Sequence, residues 1–402
     1  MKFRYECLDC GKIIETDGII YTCPDCGGTE KHGEFPKGYL RVLLDEEELK
    51  ALKEKEHVTI YDFFPYTVPS TDVYPVGPTP IIRPDRINKE LGLKNMFCKM
   101  DAYLPSGSFK DRASQLIAAQ AIAHNTKKIA LASTGNAGAA MSCAGAAYGL
   151  DIILFVPETA PINKLMQSVL YGATVVPVKG SYDDAFLLSI EYTKHFGGIN
   201  RNTAYNPMTI EGKKSVSIEL FEQLGRKSPD YVYVPVGDGC IISGVYKGFY
   251  DLKAAGLTDH IPEIICCQSE KSNAISRAFR SLEFKNIKAS TRADSISVDC
   301  PASGRMAVKY LHEYDGRCVE VTEKEILDAQ MKLVDDSGIF VEPASATAFA
   351  ALRKDLANID AEKDICLLLT GIGFKDMAVF DGRVSLPKSI ENSPEAVIKR
   401  FS

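Results

Sequence analysis

The chain has no tryptophan, no long apolar run and no excess of positive charge. The missing tryptophan decides nothing. The other two absences exclude classes of function. Lysine and arginine number 47 against 53 aspartates and glutamates, a formal charge of −6. A general nucleic-acid binder or a protein held to anionic membrane is therefore not expected. No apolar stretch approaches the ~18 residues of a spanning helix. The N-terminus, MKFRYECLDC, mixes charges with cysteines and has no apolar leader core, so a cytoplasmic location is expected. What remains is ordinary: 402 residues, 45% hydrophobic and 25% charged. That composition fits a globular protein of roughly two to three domains.

Four of the 12 cysteines are patterned: Cys7-Leu-Asp-Cys10 and Cys23-Pro-Asp-Cys26, each followed by glycine. Two intervening residues put both sulfurs on one side of a tight turn, and the glycines allow the positive φ it needs. Four thiolates complete a tetrahedral ion and leave no open position, so the expected role is a structural zinc ribbon. A redox pair, or a ribbon without metal, is the plainer alternative. So short a stretch has too little core to fold unaided, and metal would supply its stability. The other eight cysteines sit mostly in apolar surroundings and read as buried reduced thiols.

Beyond the ribbon, apolar β-branched runs alternate with helical patterns. Strands are predicted at 129–132, 152–156, 174–178, 231–236, 264–267 and 365–369. Helices are predicted at 112–124, 137–148, 162–170, 182–193, 211–224, 242–252, 324–335 and 344–356. Continuous apolar strands between helices imply parallel sheets covered on both faces. The fold class is α/β with two open-sheet domains. The expected division is a ribbon over 1–38, a large domain from 39–95 and 215–402, and a small domain over 96–214. In such sheets ligands bind beyond the carboxyl ends of the strands.

Three strand ends carry special residues. After residue 132 comes Ser133-Thr134-Gly135-Asn136-Ala137, a polar turn opening a small-residue helix and a natural carboxylate site. Asn136 could equally be a plain N-cap. After residue 236 comes Gly237-Asp238-Gly239-Cys240-Ile241-Ile242-Ser243, whose backbone and helix dipole suit a phosphate. It is not a G-x-G-x-x-G loop, and a bare strand-to-helix turn is the alternative. After residue 369 comes Thr370-Gly371-Ile372-Gly373-Phe374-Lys375-Asp376, where one hydroxyl can meet a ring nitrogen. To these the segment LPSGSFKDRASQ adds Lys110, at a sharp entry to a helix. Lys-Asp-Arg is also an ordinary polar first turn. Together, a lysine, a carboxylate nest, a phosphate loop and a ring-nitrogen partner point to pyridoxal phosphate held covalently by Lys110.

These residues resemble a known family. GSFKDR, then STGN, a Gly-rich loop, TGIGFKD and IFVEPASA at 339–346 are similar to threonine synthase, a fold-type II pyridoxal-phosphate enzyme, over about residues 5–380. The resemblance implies that Lys110 carries the cofactor and moves the substrate α-proton. It implies that Asn136 meets the cofactor ring hydroxyl and Thr370 the ring nitrogen. Gly237, Gly239, Cys240, Ile241 and Ile242 would give amides to the cofactor phosphate. Ser106, Ser133, Thr134, Asn136, Ala137, Asp238 and Thr209 would line the amino-acid substrate. The implied reaction converts O-phospho-L-homoserine and water to L-threonine and phosphate, in a homodimer.

The substrate-phosphate side departs from the family pattern. Thr209 stands where an arginine is expected, Ala204 where a serine is, Ala137 where a threonine is, and Asp238 where an asparagine is. Ala113 replaces the commoner glycine. Losing a guanidinium removes a bidentate phosphate partner. An added carboxylate repels a dianion by roughly a few kcal/mol at an effective dielectric constant of about 20. Lys213, Lys214 and Arg112 are candidates to compensate. A dehydratase, ammonia lyase or β-replacement synthase on another amino acid is the alternative reading, and a non-catalytic relative is a third.

Overall fold

The computed structural model describes residues 1–380 and 387–402. The antiparallel strands β1 (Phe3–Cys7), β2 (Ile13–Ile14) and β3 (Leu40–Leu44) form a small sheet in the order β2-β1-β3. Next come β4 (Ile81–Ile82) and β5 (Asn95–Met100). The strands β6 (Lys128–Ala132), β7 (Asp151–Pro157), β8 (Thr174–Val178) and β9 (Ile199–Asn200) form a parallel sheet in the order β8-β7-β6-β9. The last four, β10 (Tyr231–Pro235), β11 (Glu263–Ser269), β12 (Arg317–Val321) and β13 (Asp364–Leu369), join the earlier pair in a sheet ordered β12-β11-β10-β13-β5-β4. All its neighbours are parallel except β4 against β5. The α/β class with two open parallel sheets is thus as expected. Among the described residues no helix is long and apolar enough to cross a membrane.

The predicted strands are all present, and the central ones are continuous apolar runs that bury both faces: four of the five residues of β10 and five of the six of β13 are buried, whereas at the sheet edge only Val178 of β8 is. Two further strands carry charges that hid them. In β5 (NMFCKM) Lys99 interrupts the apolar run, yet it is fully buried and bonded to Glu219 and Gln223. In β12 (RCVEV) only Val321 is buried, as befits an edge strand with one open side.

Two expected boundaries shift. The ribbon sheet takes its third strand from Leu40–Leu44, past residue 38. The six-stranded sheet takes β5 from the stretch assigned to the small domain, because β5 pairs along its whole length with β13. The predicted helix at 211–224 runs as Met208–Lys213 and then Ser215–Gln223. The helices Ala274–Ser281 and Gly304–Glu313 come in addition to those predicted.

Candidate active site

Lys110 begins the helix Lys110–Ala123 and is half-buried. Its turn is pinned to the end of β13: the Phe109 N–H donates to the Thr370 carbonyl at 2.7 Å, and Ser108 bridges Gly371. This first turn is no solvated face, since Asp111 and Arg112 are fully buried. Asp111 accepts from the amide and hydroxyl of Ser106, each at 2.9 Å, and from the Tyr74 hydroxyl. Burial pushes its carboxyl up to about 6 against those bonds. Ser106, expected at the substrate, donates its proton inward to that turn. Arg112 donates to Asp101 and, at 2.8 Å, to Glu219.

At the end of β6 the N-cap is Gly135, without a side-chain cap bond, so Asn136 is not the cap. The Ser133 hydroxyl accepts the Gly135 and Gly138 amides at 3.2 and 3.0 Å. Thr134 and Ala137 are half-buried beside it. Asn136 instead reaches across the cleft. Its amide donates to both oxygens of Glu342 at 3.2 and 3.1 Å and to Ser295 at 3.1 Å. Burial raises the Glu342 carboxyl, opposed by Asn136 and by the charges of Lys110 and Lys375. Glu342 was quoted in the sequence only as part of a family-like segment. Its partners Asn136 and Ser295 lie 206 and 47 residues away, so no local signal marked it.

Thr370 closes the strand end. Its hydroxyl shares a 3.1 Å bond with Ser345, which also accepts the Thr370 and Gly371 amides.

Gly237 and Gly239 lead into the helix Cys240–Ala254. Gly239 has φ +85°, and a Cβ there would meet the Ser303 carbonyl oxygen at 2.9 Å, so the loop needs glycine. Ile241 and Ile242 lie in the first turn, where amides have no helical acceptor; the first helical bond runs from Ser243 to Gly239. That set fits a phosphate. The amide of Cys240, one of the expected donors, here donates to the Asp238 carboxylate at 2.9 Å. Asp238 closes a local turn there, the habit of a short acidic side chain before a helix.

Thr209, expected at the substrate, bonds within its own turn. It is fully buried, and its hydroxyl donates to the Asn206 carbonyl at 2.8 Å and accepts the Ala204 amide at 3.0 Å. It closes a turn in which Ala204 adopts φ +65°.

Of the three candidate compensating cations, two are spent. Arg112 is held as above. Lys214 donates to Glu211 and, at 2.7 Å, to Asp251. Lys213 differs: fully buried, its amine has no partner. A cation that sequence reasoning passed over stands with it. Arg201 is fully buried, and its Nε and one terminal nitrogen are unpaired.

In the N-terminal sheet the sulfurs of Cys7, Cys10, Cys23 and Cys26 lie within 4.8 Å of one another, with two pairs at 3.2 and 3.7 Å. A tetrahedral ion with Zn–S of about 2.3 Å needs sulfurs about 3.8 Å apart, so the set fits such an ion. Gly11 and Gly28 take positive φ as the knuckle turns require. The N-terminal segment also reaches the main body. The Tyr21 hydroxyl accepts the Asn200 amide at 2.8 Å, and its ring stacks on Tyr205 at 4.8 Å.

Comparison with known proteins follows the same lines. Residues 73–371 match the family described as pyridoxal-phosphate dependent enzyme. The chain is 34% identical over 390 residues to a threonine synthase of Methanocaldococcus jannaschii, covering 92% of each. It is 31% identical over 392 residues to a threonine synthase of Methanosarcina acetivorans, covering 93% of this chain and 92% of that one. Among solved structures it shares the fold of maize serine racemase, with TM-score 0.66, 22% identity, and coverage of 76% of this chain and 91% of that one.

Proposed function

Because this chain belongs to the threonine synthase family of pyridoxal-phosphate dependent enzymes, we propose that it converts O-phospho-L-homoserine and water to L-threonine and phosphate. The observation that carries this reading is the convergence of the Lys110 turn, the Asn136 helix start, the Gly237–Ile242 loop and Thr370 at the strand ends. Bound pyridoxal phosphate supplies the electron sink that acidifies the substrate Cα–H.

The chain's own residues do the rest. The Lys110 amine would hold the cofactor and, once free, would move protons at Cα and Cβ of the substrate. Ser133, Thr134 and the first amides of the Asn136 helix take the substrate carboxylate. Asn136, steadied by Glu342, faces the cofactor ring hydroxyl. Gly237, Gly239, Ile241 and Ile242 hold the cofactor phosphate. Thr370 meets the ring nitrogen; a hydroxyl there does not keep the ring protonated as a carboxylate does, which suits elimination and replacement. Phosphate leaves from Cγ, Cβ gives up a proton and Cγ takes one to become the methyl group, and the hydroxyl of water adds at Cβ while its proton goes to the phosphate, so the atoms balance. The same reading makes the chain a cytoplasmic homodimer.

Asp238 favours a second reading, in which the same machinery removes or replaces a group on a different amino acid. Purified enzyme given O-phospho-L-homoserine decides between them. Phosphate release matched mole for mole by threonine is expected. No turnover, with a cofactor spectrum that shifts on adding phosphoserine, serine or a diamino acid, overturns the first reading for the second.

Cys7, Cys10, Cys23 and Cys26 are assigned a structural zinc ion. Cys7→Ser or Cys23→Ser is expected to lower zinc content and thermal stability while leaving the cofactor's visible spectrum nearly intact. Metal analysis and a melting curve check both. Full stability with no zinc in the unaltered protein would remove the assignment.

A further inference from the structure

Among the described residues, buried cations come with partners, with two exceptions. Lys99, Arg112, Lys214 and Lys247 are each fully or nearly fully buried and each forms an ion pair. Lys213 and Arg201 are equally buried, at 0% exposure. The Lys213 amine bonds to nothing. Arg201 spends one terminal nitrogen on the Thr203 hydroxyl at 2.7 Å and leaves two nitrogens unpaired. An uncompensated buried charge costs several kcal/mol, and two of them cost more.

The two lie within electrostatic reach of each other. Each feels the charge of Asp238 and of Cys240, and Lys213 also feels Arg201 and Lys110. Arg201 follows β9, and its backbone N–H donates to Ala130 of β6, the strand that ends at Ser133. Lys213 ends the helix Met208–Lys213, which packs across the helix led by Cys240. The unpaired nitrogens therefore belong to the space between the carboxylate nest and the phosphate loop. Among the described residues no ion pair joins Asp238 to either cation; its carboxylate holds the Cys240 amide instead.

We infer that Arg201 and Lys213 form a second anion site, which takes the oxyanion at the far end of the substrate's side chain. The inference rests on the reading that this cleft binds pyridoxal phosphate and an amino acid. It replaces, with a different pair of side chains, the guanidinium absent at Thr209. The cofactor phosphate has its own donors in the first turn of the Cys240 helix, which leaves these two cations for the substrate. The site selects amino acids whose side chain ends in phosphate, phosphonate or a similar group, and disfavours apolar ones.

Charge state follows from the surroundings. Burial lowers the Lys213 ammonium to about 8, with Asp238 and Cys240 opposing and Arg201 and Lys110 reinforcing. Burial likewise lowers Arg201 to about 10. A lowered cation loses its charge sooner as pH rises, so anion affinity falls as pH climbs through about 8.

The test uses the holoenzyme and two probes that differ only at the tip, L-2-amino-5-phosphonopentanoate and L-norvaline, titrated against the cofactor's visible band. A preference of roughly 30-fold or more for the phosphonate is expected, since charge-assisted bonds are worth about 1.5–3 kcal/mol each. Arg201→Gln and Lys213→Gln should each cut that preference about tenfold while norvaline affinity and cofactor affinity hold. The fall above pH 8 should vanish in Lys213→Arg. Equal affinity for the two probes in the unaltered enzyme overturns the inference, whatever the variants do. So do variants that lose cofactor affinity instead of the preference, since the cations would then serve the cofactor phosphate. A clear preference without turnover of O-phospho-L-homoserine sinks the proposed reaction and leaves this site standing. Turnover whose KM ignores both substitutions does the reverse.

Discussion

Replacing Lys110 with alanine is expected to abolish the visible band of the bound cofactor and to lower turnover by at least about 10³-fold, within the range of a lost acid–base group. The argument is positional. Lys110 opens a helix whose preceding turn is bonded to the end of β13, next to Thr370, while Glu342 and Lys213 both lie within reach of its charge. The turn itself is fixed by Asp111, buried against Ser106 and Tyr74. A flexible amine on a rigid mount is what a covalent cofactor link needs. Absorbance spectra with and without borohydride check it. A band that survives the substitution and is trapped by borohydride would transfer the link to another lysine, with Lys213 the first to try.

The second large effect is on stability. Arg112→Ala is expected to destabilise the protein by about 3–5 kcal/mol, the cost of breaking a buried ion pair from one side. Arg112 is clasped by Asp101 and Glu219, and Glu219 is shared with Lys99 of β5. Removing the guanidinium leaves Asp101 without its cation and Glu219 with only Lys99.

Burial alone would raise the Glu219 carboxyl, but Arg112 and Lys99 together hold it below its ordinary range. A depressed carboxyl stabilises the fold above its ordinary value and loses that contribution as pH falls through the native one. The gap between variant and unaltered protein should therefore narrow in acid. As a control, Lys194→Ala breaks an exposed pair with Glu191 and should cost no more than about 0.5 kcal/mol. Urea unfolding midpoints measure both. Equal midpoints for Arg112→Ala and the unaltered chain would show that the network is not structural.

Much of the candidate site was legible because its parts are local. Ser133–Asn136, Gly237–Ile242 and Thr370 each sit behind a continuous apolar run, and strand ends are where open sheets bind ligands. The run marks the strand, and the polar or glycine residues after it mark the edge. The same logic failed for β5, where Lys99 broke the apolar pattern. Its charge is tolerated only because Glu219, 120 residues away, comes to meet it. Ser106 and Thr209 were expected at the substrate from the family resemblance. Both hydroxyls found nearby backbone or carboxylate partners first.

By itself, then, the sequence determined the α/β class, the four-cysteine cluster and the strand-end residues, because periodicity and short spacings are properties of neighbouring residues. The tertiary structure alone decided which charges are free. Arg112, Lys213 and Lys214 look alike on the page, and Arg201 drew no notice at all. What separates them is whether a carboxylate from another part of the fold arrives within bonding distance. Glu219 reaches Arg112 across 107 residues and Asp251 reaches Lys214 across 37. No carboxylate pairs with Lys213 or Arg201 among the described residues. Pairing of buried charge is settled by long-range packing, so it cannot be read from the residues on either side.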